Sequence, residues 1–327
     1  MTTTISLVLG SGGARGYAHI GAIEELREQG YDIRSIAGAS MGALVGGIYA
    51  AGKLEAYRDW VRALQRLDVL RMLDWTFRGG LIKGDRIVEK LRGLIGDMQI
   101  EDLPISYTAV AVDLMAQREV WFSRGPLFDA IRASIAIPAV FRPHRYQGRS
   151  FVDGGLLNPV PITPTLRDLT QCTIAVDINA PAESLNGNDA VKTDGESVVA
   201  DLTLGKQLSE PAASMGQELA LPEGDTSTAP SYRQRIAEFI DSMMEKREKK
   251  SDAVTDPGLL ETFARSLDVV QETITRFKLA AQPPDLVVQI PRNACAFYEF
   301  HRADEMIELG RTRTREALRH FRHTPKS

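Results

Sequence analysis

Two hydrophobic periods alternate along this chain. The run Ile5-Ser-Leu-Val-Leu9 is short, apolar and stopped by Gly10, the pattern of a buried strand. Tyr17, Ile20, Ile23 and Leu26 then recur at helical spacing, and that pattern ends near Gly30. Residues 33–37 predict a second strand, and the small-residue stretch 43–51 predicts a closely packed helix that stops at Gly52. Further strands are expected at 107–112, 120–123, 150–152, 172–178 and 284–290, and helices at 54–67, 85–95, 126–135, 232–249, 259–279 and 304–319. Strands and helices in alternation argue for parallel strands joined by crossover helices, hence an α/β fold.

The pattern breaks after Asn179. Between Pro181 and Ser231 there is no aromatic residue, and Gly, Ser, Asp, Glu, Pro and Thr dominate, a composition too polar to build a core. The reading is a core of residues 1–180, completed as one domain by a strand and helices in 261–327. Residues 181–260 are then an insertion, a mobile linker followed by an amphipathic helix. That helix would carry Ile236, Phe239, Ile240, Met243 and Met244 on one face and end in the basic cluster Lys246-Arg-Glu-Lys-Lys250. No internal repeat is visible.

Composition narrows the classes of function. The 327 residues are 43% hydrophobic and 25% charged, which excludes a disordered or collagen-like chain. Lys and Arg number 39 against 43 Asp and Glu, a net charge of −4, so the basic footprint of a nucleic-acid binder is missing and none is expected as a partner. No apolar run approaches the roughly 18 residues that span a bilayer. Met1-Thr-Thr-Thr-Ile5 has neither the basic start nor the long apolar stretch of a signal peptide, so a cytoplasmic protein is expected. The two cysteines, Cys172 and Cys295, stand apart and define no zinc site.

Three local motifs suggest chemistry. Gly10-Ser-Gly-Gly-Ala-Arg-Gly16 lies between the first strand and its helix, where glycines let backbone N–H groups converge on a phosphate or an oxyanion. It fails as a dinucleotide fingerprint, because Arg15 occupies the last glycine position of Gly-x-Gly-x-x-Gly, and no Gly-Lys-Ser/Thr follows to make a phosphate loop of the ATPase type. Gly38-Ala-Ser-Met-Gly42 lies between the second strand and its helix. It is a Gly-x-Ser-x-Gly elbow, in which Gly38 and Gly42 leave room for the sharp turn that exposes Ser40. Phe151-Val-Asp-Gly-Gly155 follows a short strand, and Gly154 and Gly155 let the backbone turn sharply and aim Asp153 in one direction.

Taken in this order, the motifs resemble those of the patatin-like phospholipases, serine acyl hydrolases that work with a Ser–Asp dyad. Ala133-Ser-Ile-Ala-Ile-Pro138 with Phe141, and Asn158-Pro-Val-Pro161, are similar to the family as well. The resemblance covers about residues 5–178 and resumes weakly over 284–311. It implies a three-layer α/β/α patatin-like fold with a mostly parallel central sheet. It also implies Ser40 as nucleophile, Asp153 as general base and acid, and an oxyanion hole from Gly12 and Gly13, counted together with Arg15 as the loop's anchor. Ser11 departs from the glycine of many members, but a serine can still donate its backbone N–H. Burial is expected to raise Asp153 above the ordinary 3.9 or so of an aspartate.

The activity implied is that of a phospholipase A, lysophospholipase or lipid esterase with no cofactor or metal. An acyltransferase on the same dyad and a non-enzymatic regulator on the same fold are the alternatives. A lipid ester is the expected partner. Peripheral contact with the inner face of the membrane is expected through the helix 232–249 or through Trp75 and Phe77, and the apolar helices permit a homo-oligomer. A Ser–His–Asp triad is the mechanistic rival, since Ser40, Asp153 and His301 stand in the order seen in α/β-hydrolases. Only one strand precedes the elbow's own, however, where those folds need several.

Overall fold

The computed structural model describes residues 2–64, 89–93, 96–138, 140–183 and 259–321. The predicted helix 232–249, most of the predicted insertion, parts of the helices expected at 54–67 and 85–95, and Trp75 and Phe77 lie outside the described residues.

The chain runs β1 (Thr3–Leu9), α1 (Ala18–Glu28), β2 (Tyr31–Ala39), α2 (Met41–Ala50), α3 (Leu54–Ala63), β3 (Ser106–Asp113), β4 (Arg118–Phe122), α4 (Leu127–Ser134), β5 (His144–Tyr146), β6 (Arg149–Asp153), β7 (Cys172–Ala180), α5 (Leu259–Ala281), β8 (Leu286–Pro291) and α6 (Ala303–His320). The spatial order is β5-β6-β3-β2-β1-β7-β8, with β4 also paired to β3. β3, β2, β1, β7 and β8 are mutually parallel, whereas β4, β5 and β6 join antiparallel. The sheet is therefore mixed and mostly parallel, with helices on both faces, as the alternation of periods predicts.

β1 reads as a continuous apolar run because both of its faces are covered. Ile5, Leu7 and Leu9 enter the larger core beneath α1, α2 and α6. Val8 faces the other way, with Ala175, Val160, Ile162 and Leu279 of α5. α1 and α6 touch backbone to backbone: a Cβ on Gly21 would stand 1.8 Å from the Ile307 carbonyl oxygen, and one on Gly310 would stand 2.0 Å from that of Ala18.

One strand escapes the periodicity. β5 has three residues, too few to show an alternation, and it is held by a two-residue turn to β6 in which Gln147 and Gly148 both take positive φ (47° and 73°). Elsewhere the predicted boundaries shift by one or more residues, outward in β2, which starts two residues before Ile33, and inward in β8, which starts at Leu286, and in α4, which covers Leu127–Ser134.

The C-terminal ends of β1, β2 and β7 lie side by side. β1 is followed in space by β2 on one side and β7 on the other, so the connections leaving this edge diverge and open a crevice. The glycine-rich loop, the serine elbow and Asn179 all sit there.

Candidate active site

Ser40 sits between β2 and α2 with φ 53° and ψ −124°, a conformation a side chain adopts at a cost of about 1–3 kcal/mol. The neighbours that hold it there explain the motif. A Cβ on Gly42 would lie 2.1 Å from the Leu9 carbonyl oxygen, and one on Gly38 would lie 2.5 Å from the Gly42 carbonyl oxygen. Only glycine lets α2 start this close to the end of β1. The Ser40 N–H donates to Ser134 Oγ at 2.9 Å, and Ser134 Oγ donates in turn to the Val110 carbonyl at 2.6 Å. Ser134 thus ties the elbow to β3 from the end of α4.

Asp153 ends β6, whose pairing places it opposite Ala111 of β3. Its Oδ2 accepts the Ser40 hydroxyl at 2.6 Å, and its Oδ1 accepts the Gly155 N–H at 2.7 Å. Ser40 and Asp153 are 113 residues apart in the chain, both buried. Gly154 is required by space, since a Cβ there would lie 2.0 Å from the Val110 carbonyl oxygen. Burial pushes the Asp153 carboxyl up to about 7, against the lowering effect of the bonds from Ser40 and Gly155. Among the described residues no cation compensates it, and desolvation is the largest influence on its ionisation.

The glycine-rich loop crosses above these groups. Gly10 N–H donates to Val176, Ser11 N–H to Pro159 and Ala14 N–H to Phe297. The expectation that Ser11 offers its N–H to the site is therefore corrected: that donor is spent on Pro159. Among the described residues, the N–H groups of Gly12 and Gly13 have no acceptor. Gly13 takes φ +57°, and a Cβ on it would stand 2.4 Å from the Phe297 carbonyl oxygen.

Arg15 is buried beneath the loop. Its Nη1 donates to the carbonyls of Arg292 and Cys295 at 3.0 and 3.1 Å, and its Nη2 to Asn179 Oδ1 at 2.7 Å and Asp268 Oδ1 at 3.4 Å. These bonds describe an anchor of the loop rather than a member of an oxyanion hole. Burial lowers the guanidinium's affinity for its proton, and Asp268 opposes that shift.

Ser40, Asp153, Gly12, Gly13 and Arg15 line one cavity. Its apolar wall comes from Ile137, Pro138, Val140, Leu156, Leu267 and Phe297. Pattern reading of the sequence does not single out Leu267, Asp268 and Gln271 of α5, or Phe297. α5 reads as an ordinary amphipathic helix, and nothing in its period tells which residue faces a cavity. Phe297 lies in a stretch whose aromatic residues suggest packing.

No described histidine lines the cavity. His301 is exposed in a turn, His144 pairs with Asp129 at 3.0 Å, and His19 is buried with Nε2 donating to the Gly10 carbonyl at 2.8 Å. Desolvation lowers His19 to about 4, so it is neutral. The Ser–His–Asp alternative through His301 has no support in this arrangement. Among the described residues, no group of three or more His, Cys, Asp and Glu could hold a metal ion, and no helix is long and apolar enough to cross a membrane.

Comparison with known proteins places relatives beside this chain. Residues 7–166 match the family described as patatin-like phospholipase. The chain is 42% identical over 334 residues to an uncharacterized NTE family protein of Mycobacterium tuberculosis, covering 97% of this chain and 92% of that one. It is 30% identical over 199 residues to the lysophospholipase NTE1 of Saccharomyces cerevisiae, covering 56% of this chain and 12% of the yeast protein. Among solved structures, VipD of Legionella pneumophila is similar with a TM-score of 0.44 and 11% identity, over 98% of this chain and 67% of that one.

Proposed function

Because the chain belongs to the patatin-like phospholipase family, we propose that it is a serine hydrolase of lipid esters working through Ser40 and Asp153. The observation that carries this reading is the 2.6 Å bond from Ser40 Oγ to a buried carboxylate.

In this reading Ser40 Oγ attacks the ester carbonyl while Asp153 Oδ2 takes its proton. The carbonyl oxygen becomes an oxyanion, and the free N–H groups of Gly12 and Gly13 receive it. Asp153 then returns the proton to the leaving alkoxide, which departs as the alcohol and leaves an acyl-Ser40. Water repeats the sequence and releases the fatty acid. An aspartate of ordinary acidity is a weak base toward a serine, and the elevation of Asp153 to about 7 narrows that gap. The Gly155 N–H on Oδ1 holds the carboxylate so that Oδ2 faces the nucleophile. The apolar wall suits an acyl chain.

The direct test is labelling with a fluorophosphonate probe. Wild type should be labelled covalently and Ser40→Ala should not. A wild-type protein that is folded yet unlabelled, with and without lipid, would overturn the proposal. The reading also sets a pH profile. The base must be ionised, so kcat/KM should fall about tenfold per pH unit below about 7 and level off above it. A profile flat from pH 5 to 8 would show that Asp153 is not the base.

A further inference from the structure

We propose that Gln271 of α5 determines specificity at this site by donating a hydrogen bond from Nε2 to a free hydroxyl beside the scissile ester, so that the favoured substrates are partly acylated polyols; this rests on the serine-hydrolase reading above. The side chain is 7% exposed and lines the cavity with Ser40 and Asp153. Its amide cannot turn freely. Arg15 Nη2 donates to Asn179 Oδ1 at 2.7 Å, which fixes the Asn179 amide. Asn179 Nδ2 then donates to the Ser11 carbonyl at 2.6 Å and to Gln271 Oε1 at 3.4 Å. Ser11 Oγ donates to the same Oε1 at 3.5 Å. With two donors on Oε1, the NH2 group is turned the other way, where it has no acceptor among the described residues. Gln271 lines the cavity, so this donor is open to an acceptor that enters it, and a substrate that occupies this place without an acceptor leaves the donor unpaired.

The place of that donor suggests what takes it. Gln271 Nε2 lies 2.8 Å from where a Cβ on Gly155 would stand, so it packs over the Asp-Gly-Gly turn. Asp153, at the start of that turn, is the group that returns the proton to the departing alkoxide, so this flank of the cavity holds the leaving alcohol. Among the described residues the charged side chains lining the cavity are Arg15, Asp153 and Asp268, and Nη1 and Nη2 of Arg15 are already bonded to two carbonyls, Asn179 and Asp268. The donor offered to the leaving group is therefore a neutral amide, which matches a hydroxyl oxygen better than a phosphate anion. A fully alkylated or simple alcohol would leave the amide unpaired.

The test uses three esters of one fatty acid: the n-propyl ester, the 1-monoacylglycerol and the 1-acyl lysophospholipid. They are compared in wild type, Gln271→Met, which keeps the volume and removes the donor, and Gln271→Glu, which keeps an acceptor toward Asn179 and removes the donor. The expected result is a roughly tenfold fall, in both variants, in the ratio of kcat/KM for the monoacylglycerol over the propyl ester, and a similar fall for the lysophospholipid. Thermal midpoints and fluorophosphonate labelling of the variants show whether the site is still assembled. Equal losses on all three esters, or no change in either ratio, would overturn the assignment. A fall confined to the lysophospholipid would overturn it too, since phosphate would then be the acceptor. Labelled wild type with any of these results leaves the serine-hydrolase reading standing. Unlabelled wild type that cleaves none of the esters removes both.

Discussion

Asp153→Asn should lower turnover of any ester substrate by about 10⁴-fold and, at pH 8, make the protein more stable than wild type. The loss of rate follows from the role proposed for the carboxylate: an amide can orient the Ser40 hydroxyl but cannot accept its proton. The gain in stability follows from burial. Asp153 is held at about 7 in the folded protein, against about 3.9 in an unfolded chain. An acid with a raised folded value binds its proton more tightly when folded, so folding is favoured by protonation. That contribution is fully present below about pH 4, declines as the pH rises between about 4 and 7, and is gone above about 7. At pH 8 the folded wild type carries a buried charge that the asparagine lacks, a difference of up to about 4 kcal/mol. Denaturant titrations at pH 4.5 and pH 8 measure it. Similar stability at pH 4.5 and a more stable variant at pH 8 is the expected pattern, and a variant less stable at pH 8 would show that Asp153 is compensated in a way its contacts do not indicate.

The second large effect lies at a residue that performs no chemistry. Gly42→Ala places a methyl group 2.1 Å from the Leu9 carbonyl oxygen and 2.7 Å from that of Gly10. Both obstacles are backbone at the end of a central strand, so neither can swing aside as a side chain would. α2 must retreat, and Ser40, whose conformation is set by the junction of β2 and α2, must move with it. A loss of about 3 kcal/mol or more is expected, at the upper end of what overpacking costs, together with loss of fluorophosphonate labelling. Gly93→Ala is the control: that glycine lies in a helical segment and a Cβ on it meets nothing within 4 Å among the described residues, so a gain of up to about 1 kcal/mol is expected. The midpoints of chemical unfolding report both values. A Gly42→Ala protein as stable and as readily labelled as wild type would mean that α2 can shift without cost, against the close packing of the β1–α2 junction.

The two substitutions mark the boundary between what can be read locally and what cannot. The elbow, the glycine-rich loop and the Asp-Gly-Gly turn are legible in the sequence because each is a local backbone problem. A turn too tight for a Cβ leaves glycines at set spacings, and a strand buried on both faces leaves a continuous apolar run. The order of strands and helices is legible for the same reason, since period 2 and period 3.6 are properties of neighbours in the chain. The short strand β5 and the cavity-facing residues of α5 are not legible, because three residues show no period and a helix's apolar face does not announce which partner it meets.

Tertiary structure decided the rest. Only the pairing of β6 with β3 brings Asp153 to Ser40 across 113 residues, and only enclosure by the surrounding layers raises its carboxyl to about 7. Arg15 is conspicuous in the sequence, but its work as an anchor is settled by carbonyls 277 and 280 residues further on. Ser11 lost its N–H to Pro159, a residue with no local relation to it. Gln271 and Phe297 entered the site from segments beyond residue 259. Residue types and local geometry are written in the order of the chain. Adjacency and desolvation depend on how the sheet is ordered and what covers it, and no local pattern contains them.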